Sequence, residues 1–248
     1  MKRTLLPLVL LLACWSVTAA PPDYEREARL RAEIVPSLVV GEAVDLRAAE
    51  HTFLGIFTPP ANGAAPATTT AVVIVHGSGV HPDWNFIGKL RMELADQGYA
   101  TLSIQMPVRP AGAPHTEYAE LMPLAAQRIA AAAAWLQQQG YRDLVLVSHS
   151  LGSRMADAYF ANRKATPFRA WASLGIVGGN YASVPRPAAL VMLDVYGARD
   201  FDDVVQLASA RAAALTRGSR QVRINDADHF YAGRESELLR ELTRFFAR

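Results

Sequence analysis

The chain has 248 residues, 51% of them hydrophobic and 19% charged, a composition that excludes disordered tails, collagen-like repeats and disulfide scaffolds. A chain of this length buries most of its apolar surface around one core, so a single α/β domain is expected. The formal charge of +2 vanishes once Lys2 and Arg3 are set apart with the N-terminus, because 23 basic residues then face 23 acidic ones; nothing in that balance suggests a nucleic-acid partner.

Met1 to Ala20 reads as a signal peptide. Lys2 and Arg3 give a positive start, Leu5 to Ala13 is an apolar run broken only by Pro7, and Val17, Ala19 and Ala20 offer a small-residue cleavage site. The run is too short for a membrane span of about 20 residues, and no later segment approaches one. Cleavage after Ala20 predicts a mature chain of residues 21–248 in the periplasm. It would carry no thiol, because Cys14 is the only cysteine. A second reading takes Leu11 to Cys14 as a lipoprotein signal with a lipid anchor at Cys14; the bulky Trp15 and the later cleavage site weigh against it.

Asp23 to Glu33 is polar and reads as a short surface helix without evident chemistry. Val39–Leu46 and Thr52–Thr58 are expected to pair antiparallel, and the Pro/Ala/Gly/Thr-rich stretch Pro59–Thr70 is a loop. From Ala71 the pattern becomes strand, loop, helix, repeated. Ala71–Val75 is a continuous apolar run of the kind a strand buried on both faces requires. Further strands are expected at Ala100–Gln105, Leu144–Val147, Ala170–Val177, Ala189–Val195 and Gln221–Ile224. Helices fall between them: Ile87, Leu90 and Leu94 have helical spacing, another helix runs from near Pro123 to Gly140, and Leu238, Leu239, Leu242, Phe245 and Phe246 form the stripe of a last one. This alternation predicts a mostly parallel sheet with helices on both faces and ligands at the carboxyl ends of its strands.

The strongest chemical signal is Leu144-Val145-Leu146-Val147-Ser148-His149-Ser150-Leu151-Gly152, a buried strand entering a small-x-Ser-x-small turn and then a helix over Ser153–Ala161. That is the context of a nucleophile elbow, in which a strained turn lifts the serine hydroxyl clear of the sheet. Ser148 stands where glycine is usual and adds a Cβ at a crowded point. His76-Gly77-Ser78-Gly79 directly follows the strand Ala71–Val75, and a glycine-rich turn there supplies half of an oxyanion hole; the backbone N–H groups of Ser78 and Leu151 are the candidates. Six histidines could act as base, and only His229 comes late, past the last strand. His76 and His149 belong to the two turns and suit a supporting role. His51, His81 and His115 read as surface or loop residues, with His81, Trp84 and Met106 as candidates for lining the pocket. Phe168 to Ala189 contains no acid, so the triad carboxylate is expected in the loop after the next strand, at Asp200, with Asp194 as runner-up and Asp202 and Asp203 starting a helix. Asp228 adjoins His229, a poor position for reaching its Nδ1.

The order Ser150, Asp200, His229 resembles that of the α/β-hydrolase superfamily over nearly all of residues 21–248. The strings His81-Pro82-Asp83-Trp84, Leu90-Arg91, Gly98 to Pro107 and Ser148 to Gly152 resemble a bacterial α/β-hydrolase-like family of unknown function. The resemblance implies an α/β-hydrolase fold with Ser150 as nucleophile, His229 as base and Asp200 as its partner. About 47 residues separate Gly152 from Asp200, too few for a large lid domain once a helix and two strands are placed. The expected activity is hydrolysis of a small carboxylic ester or related acyl substrate, with no cofactor and no metal. The competing class is a non-catalytic envelope binding or assembly protein that kept the fold.

Overall fold

A strand sandwiched between two helical layers has to be apolar on both faces, and alternate residues then feed opposite cores. In β3 (Thr70–Val75) Ala71, Val73 and Val75 enter one core while Val72 and Ile74 enter the other. In β5 (Asp143–His149) Leu144 and Leu146 face the first and Val145 and Val147 the second. The computed structural model describes residues 21–181 and 186–247; the expected signal peptide, Cys14 included, lies outside them.

Around these two strands the described residues add β1 (Glu42–Ala48), β2 (His51–Thr58), β4 (Ala100–Ile104), β6 (Phe168–Leu174), β7 (Val191–Gly197) and β8 (Arg220–Ile224). One sheet results, in the order β1-β2-β4-β3-β5-β6-β7-β8. β2 runs antiparallel to β1 and to β4, and the remaining pairings are parallel. Helices α2 (Asn85–Asp96) and α7 (Glu235–Phe246) cover one face through Ile87, Leu90, Leu94, Leu238, Leu242 and Phe245. Helices α3 (Met122–Gln138) and α4 (Leu151–Phe160) cover the other through Ile129, Leu136, Met155 and Phe160. Two short helices, α5 (Asp202–Gln206) and α6 (Ala208–Ala213), follow β7. Between Gly152 and Asp200 the described chain is taken up by α4, β6 and β7, which leaves no lid domain.

The expected strand over Ala170–Val177 stops at Leu174, because Gly175 turns the backbone to a φ of +52°. Ile176 and Val177 are buried beyond the turn, so apolar character alone overruns the strand end.

The N-terminal helix α1 (Tyr24–Ile34) is not the idle surface helix its polarity suggested. Arg26 donates to the carbonyls of Gly79 (2.6 Å) and Arg109 (2.7 Å). Glu27 is buried, accepting from Arg128 at 2.9 Å and from the Val108 amide at 3.3 Å. Burial pushes the Glu27 carboxyl up from its ordinary range, and the Arg128 charge opposes the rise. Charged residues on a helix can thus mark a docked face when each charge finds a buried partner.

Asp194, within β7, is fully buried and accepts from Tyr181 Oη (2.7 Å), Arg211 Nε (2.9 Å) and Gln221 Nε2 (2.7 Å). Arg211 is itself fully buried and also donates to the Val204 carbonyl, so the ion pair ties α5 and α6 to the sheet. Removing one partner of such a pair strands the other charge out of water. Asp194→Ala is therefore expected to lose about 3–5 kcal/mol of unfolding free energy, measured by urea titration; an unchanged midpoint would show that the network is dispensable.

Candidate active site

β5 delivers Ser150 into a sharp turn that leads directly into α4. Its backbone sits at φ 57°, ψ −127°, a region that costs a non-glycine residue on the order of 1–3 kcal/mol and persists only where its surroundings fix it. Here the Ser150 amide donates to Leu174 O at 2.8 Å, and its carbonyl accepts from Ser153 at 3.0 Å. α4 starts immediately afterwards and crosses close to the end of β3: a Cβ on Gly152 would lie 2.3 Å from the His76 carbonyl oxygen, so only glycine fits. Among the described residues the Ser150 hydroxyl makes no hydrogen bond and opens on a cavity of about 240 Å³.

Ser148 does more than fit at its crowded position. Its hydroxyl accepts from the Trp171 indole N–H at 2.8 Å and lies 2.9 Å from the Ser153 hydroxyl. Glycine there would leave a buried indole N–H without a partner, a cost of about 1–3 kcal/mol. The departure from the usual residue is thus compensated within the core beneath the turn.

Asp200 follows β7 in the loop that opens α5. Its Oδ1 lies 2.6 Å from His229 Nδ1 and accepts from the Phe201 amide at 2.8 Å, while its Oδ2 accepts from Gly197 at 3.4 Å. His229 lies between β8 and α7 and lines the same cavity as Ser150. Ser150, Asp200 and His229 therefore meet at one place, whereas Asp194 belongs to the network with Arg211. Asp202 and Asp203 occupy the first turn of α5, and Asp228 accepts from the Phe230 and Ala232 amides. No hydrogen bond joins Ser150 Oγ to His229 Nε2 among the described residues; bonds of this kind commonly tighten only with substrate bound.

The His76–Gly79 turn runs across the nucleophile. A Cβ built on Gly77 would sit 3.1 Å from Ser150 Cβ, and neither the Ser78 nor the Leu151 amide is taken by a turn or loop hydrogen bond among the described residues. Both amides are thus available beside the serine, one on the turn and one at the N-terminus of α4.

The supporting histidines are buried and neutral. The Met106 amide donates to His76 Nε2 (2.9 Å), which leaves the proton on Nδ1 to be donated to Gly77 O at 2.8 Å. His149 Nε2 donates to the His229 carbonyl at 2.8 Å. Burial is the main cause that holds both down from 6.5 to about 3, and at His149 the neighbouring His229 contributes to the same drop.

The cavity corrects two of the three expected lining residues. Trp84 lines it, but Met106 is fully buried in the core and its amide serves His76; His81 turns its Nδ1 to the Asp83 amide at 3.3 Å. The lining includes instead Val80, His115, Phe201 and Phe230. His115 opens the 3-10 helix His115–Leu121 that leads into α3 and pairs with the Ser78 hydroxyl at 3.0 Å. Sequence reasoning also missed Gly175. A Cβ there would lie 3.0 Å from Asp200 Oδ2 and 3.1 Å from His229 Nδ1, so side-chain bulk would push on the acid–histidine contact. The signal was a glycine inside the apolar run Ala170–Val177. Two larger hollows of about 360 Å³, one between α1 and the β1–β2 hairpin and one beside α4, do not include Ser150.

The string His81 to Trp84 is scaffold for this wall. Arg91 is buried in α2 and donates to Asp83 Oδ1 (2.7 Å), and Ser103 donates to the Pro82 carbonyl (2.6 Å), fixing the loop that presents Trp84.

Residues 15–127 match the family described as "Protein of unknown function (DUF3530)", a stretch that ends before Ser150. No curated protein matches the chain by sequence. Among solved structures, an α/β serine hydrolase without lid from Xanthomonas campestris superposes with a TM-score of 0.66 at 18% identity, covering 85% of this chain and 95% of that one. A dienelactone hydrolase from Anabaena variabilis gives 0.65 at 22% identity over 84% and 96%, and an esterase from a Rhodococcus species 0.61 at 12% over 83% and 98%. The fold is that of the α/β hydrolases. At these identities the α/β-hydrolase likeness speaks for architecture, and the site's chemistry has to be argued from its own residues.

The buried histidines make stability depend on pH with a definite sign. Between pH 6.5 and about 3 the unfolded chain binds protons that folded His76 and His149 do not, so stability falls as pH drops below 6.5. Unfolding free energy at pH 5 is expected to be lower than at pH 7 by about 2 kcal/mol for each histidine. Imidazole resonances of His76 and His149 titrating near 6.5 in the folded protein would refute it.

Proposed function

We propose that this protein is an exported serine hydrolase acting on a small carboxylic ester or related acyl compound. The observation that carries the proposal is the meeting on one cavity of the Asp200–His229 pair and Ser150, which is strained and whose hydroxyl makes no hydrogen bond among the described residues. Asp200 would hold the proton of His229 on Nδ1, leaving Nε2 to take the Ser150 proton as Oγ attacks the carbonyl carbon. The amides of Ser78 and Leu151 would hold the oxyanion of the tetrahedral intermediate, and His229 would return the proton to the departing alcohol. Water then repeats the sequence on the acyl-serine and releases the acid. At about 240 Å³ the cavity is smaller than pockets for drug-sized ligands, and Trp84, Phe201 and Phe230 line it, which favours compact, uncharged acyl groups.

Ser150→Ala is expected to abolish hydrolysis of short p-nitrophenyl esters and labelling by a fluorophosphonate probe while the fold stays intact. Asp200→Asn should lower kcat by roughly 10³ to 10⁴. A wild-type protein that is neither labelled nor active would move the protein to the non-catalytic envelope class, and an active Ser150→Ala variant would take the nucleophile's role away from Ser150.

Export is part of the same proposal. The leader supports it, and so does the docking of the chain from Pro21 onward, where Arg109 donates to the Pro21 carbonyl at 2.9 Å. No described helix is long and apolar enough to cross a membrane. Intact-mass measurement of the protein from the periplasm is expected to give a chain beginning at Pro21; a lipidated species beginning at Cys14 would replace that reading with an anchored one.

A further inference from the structure

His229 is held by more than its acid. The ring of Phe201 stacks on the imidazole with centroids 4.1 Å apart and planes within 26° of parallel. His149 lies against His229 at 4.7 Å, tilted by 43°, and Phe230 meets it edge-on at 5.1 Å. Phe201 is 49% exposed, so it adds little to either core. Its backbone amide donates to the same Asp200 Oδ1 that meets His229 Nδ1. One residue therefore touches both members of the acid–histidine pair, the acid through its amide and the histidine through its ring.

We propose that Phe201 is a positioning residue, whose ring holds the His229 imidazole in the plane that keeps Nδ1 on Asp200 and Nε2 available to Ser150. The kinetic consequence rests on the hydrolase reading; the geometric content does not. A histidine's second side-chain torsion is broad, and one hydrogen bond at Nδ1 leaves the ring able to rock about it. A flat ring laid on one face resists that rocking, because rotation separates the two planes. An aliphatic side chain covers the same face without opposing rotation. The same loop thus supplies the carboxylate and, one residue later, the ring that keeps its partner in register.

The test compares Phe201→Ala, Phe201→Leu and Phe201→Tyr in the full-length exported protein, with a short p-nitrophenyl ester and with proton NMR of the His229 Nδ1–H. Phe201→Ala and Phe201→Leu are expected to lose about tenfold in kcat, the scale of a small misplacement of a reacting group, whereas Phe201→Tyr stays within about twofold of wild type. Leucine restores the apolar wall, so the Leu variant should recover KM without recovering kcat. The Nδ1–H resonance is expected to broaden by solvent exchange in the Ala and Leu variants and to persist in the Tyr variant. A Leu variant with wild-type kcat and a sharp Nδ1–H resonance overturns the proposal. If the wild-type protein turns over no ester, the loss falls on the hydrolase reading and the resonance alone decides the role of Phe201.

Discussion

The backbone of Ser150 is the constraint around which this end of the molecule is built. A residue at φ 57°, ψ −127° stays there only if each neighbour leaves it no alternative, and the neighbours are drawn from three strands and a helix. β6 accepts its amide through Leu174, β5 feeds it from beneath with Ser148 anchored on Trp171, α4 begins at once, and the turn after β3 lies across it through Gly77. Strand order puts β3, β5 and β6 side by side, so the sheet supplies three of these contacts without any long-range loop. The parallel arrangement thus concentrates strain and free amides at one edge, where a reaction can use both.

The second requirement is neutrality. His149 and His229 line the cavity of Ser150 and His76 is buried on the turn after β3, and further positive charge there would oppose the imidazolium that the proposed attack forms on His229. Burial keeps His76 and His149 uncharged, and each is committed to a carbonyl, one that of Gly77 on the turn after β3 and the other that of His229 itself. His229 alone has a carboxylate at Nδ1. The division of labour among three identical side chains is set by what each ring nitrogen touches.

Much of this was legible in the chain. Alternating strand and helix signals gave the sheet, because strands buried on both faces leave long apolar runs, and the serine turn and late histidine stand out by residue type. What was not legible depends on contacts between distant segments. Gly175 looks like any strand-ending glycine until Asp200 and His229 are seen beside it. Met106 follows the end of β4 in the string Gly98 to Pro107, yet its side chain is fully buried in the core and only its amide serves the site, by donating to His76. Ser148 looked like a crowded substitute until Trp171, 23 positions later, turned out to need its oxygen. The polar faces of α1 carried no signal, because a buried ion pair and a solvated one have the same sequence.

That helix imposes an order of assembly. The seats of Arg26 and Glu27 are the carbonyl of Gly79, 53 positions on, and the guanidinium of Arg128, 101 positions on. Neither exists until β3, β4 and α3 have come together, and closing such loops is slow compared with forming a local turn. The helix precedes the sheet in the chain but can take these seats only once the sheet has formed. Without the helix in place, the turn that carries Ser78 lacks the Arg26 brace on Gly79, so the wall of the cavity depends on a segment outside the sheet.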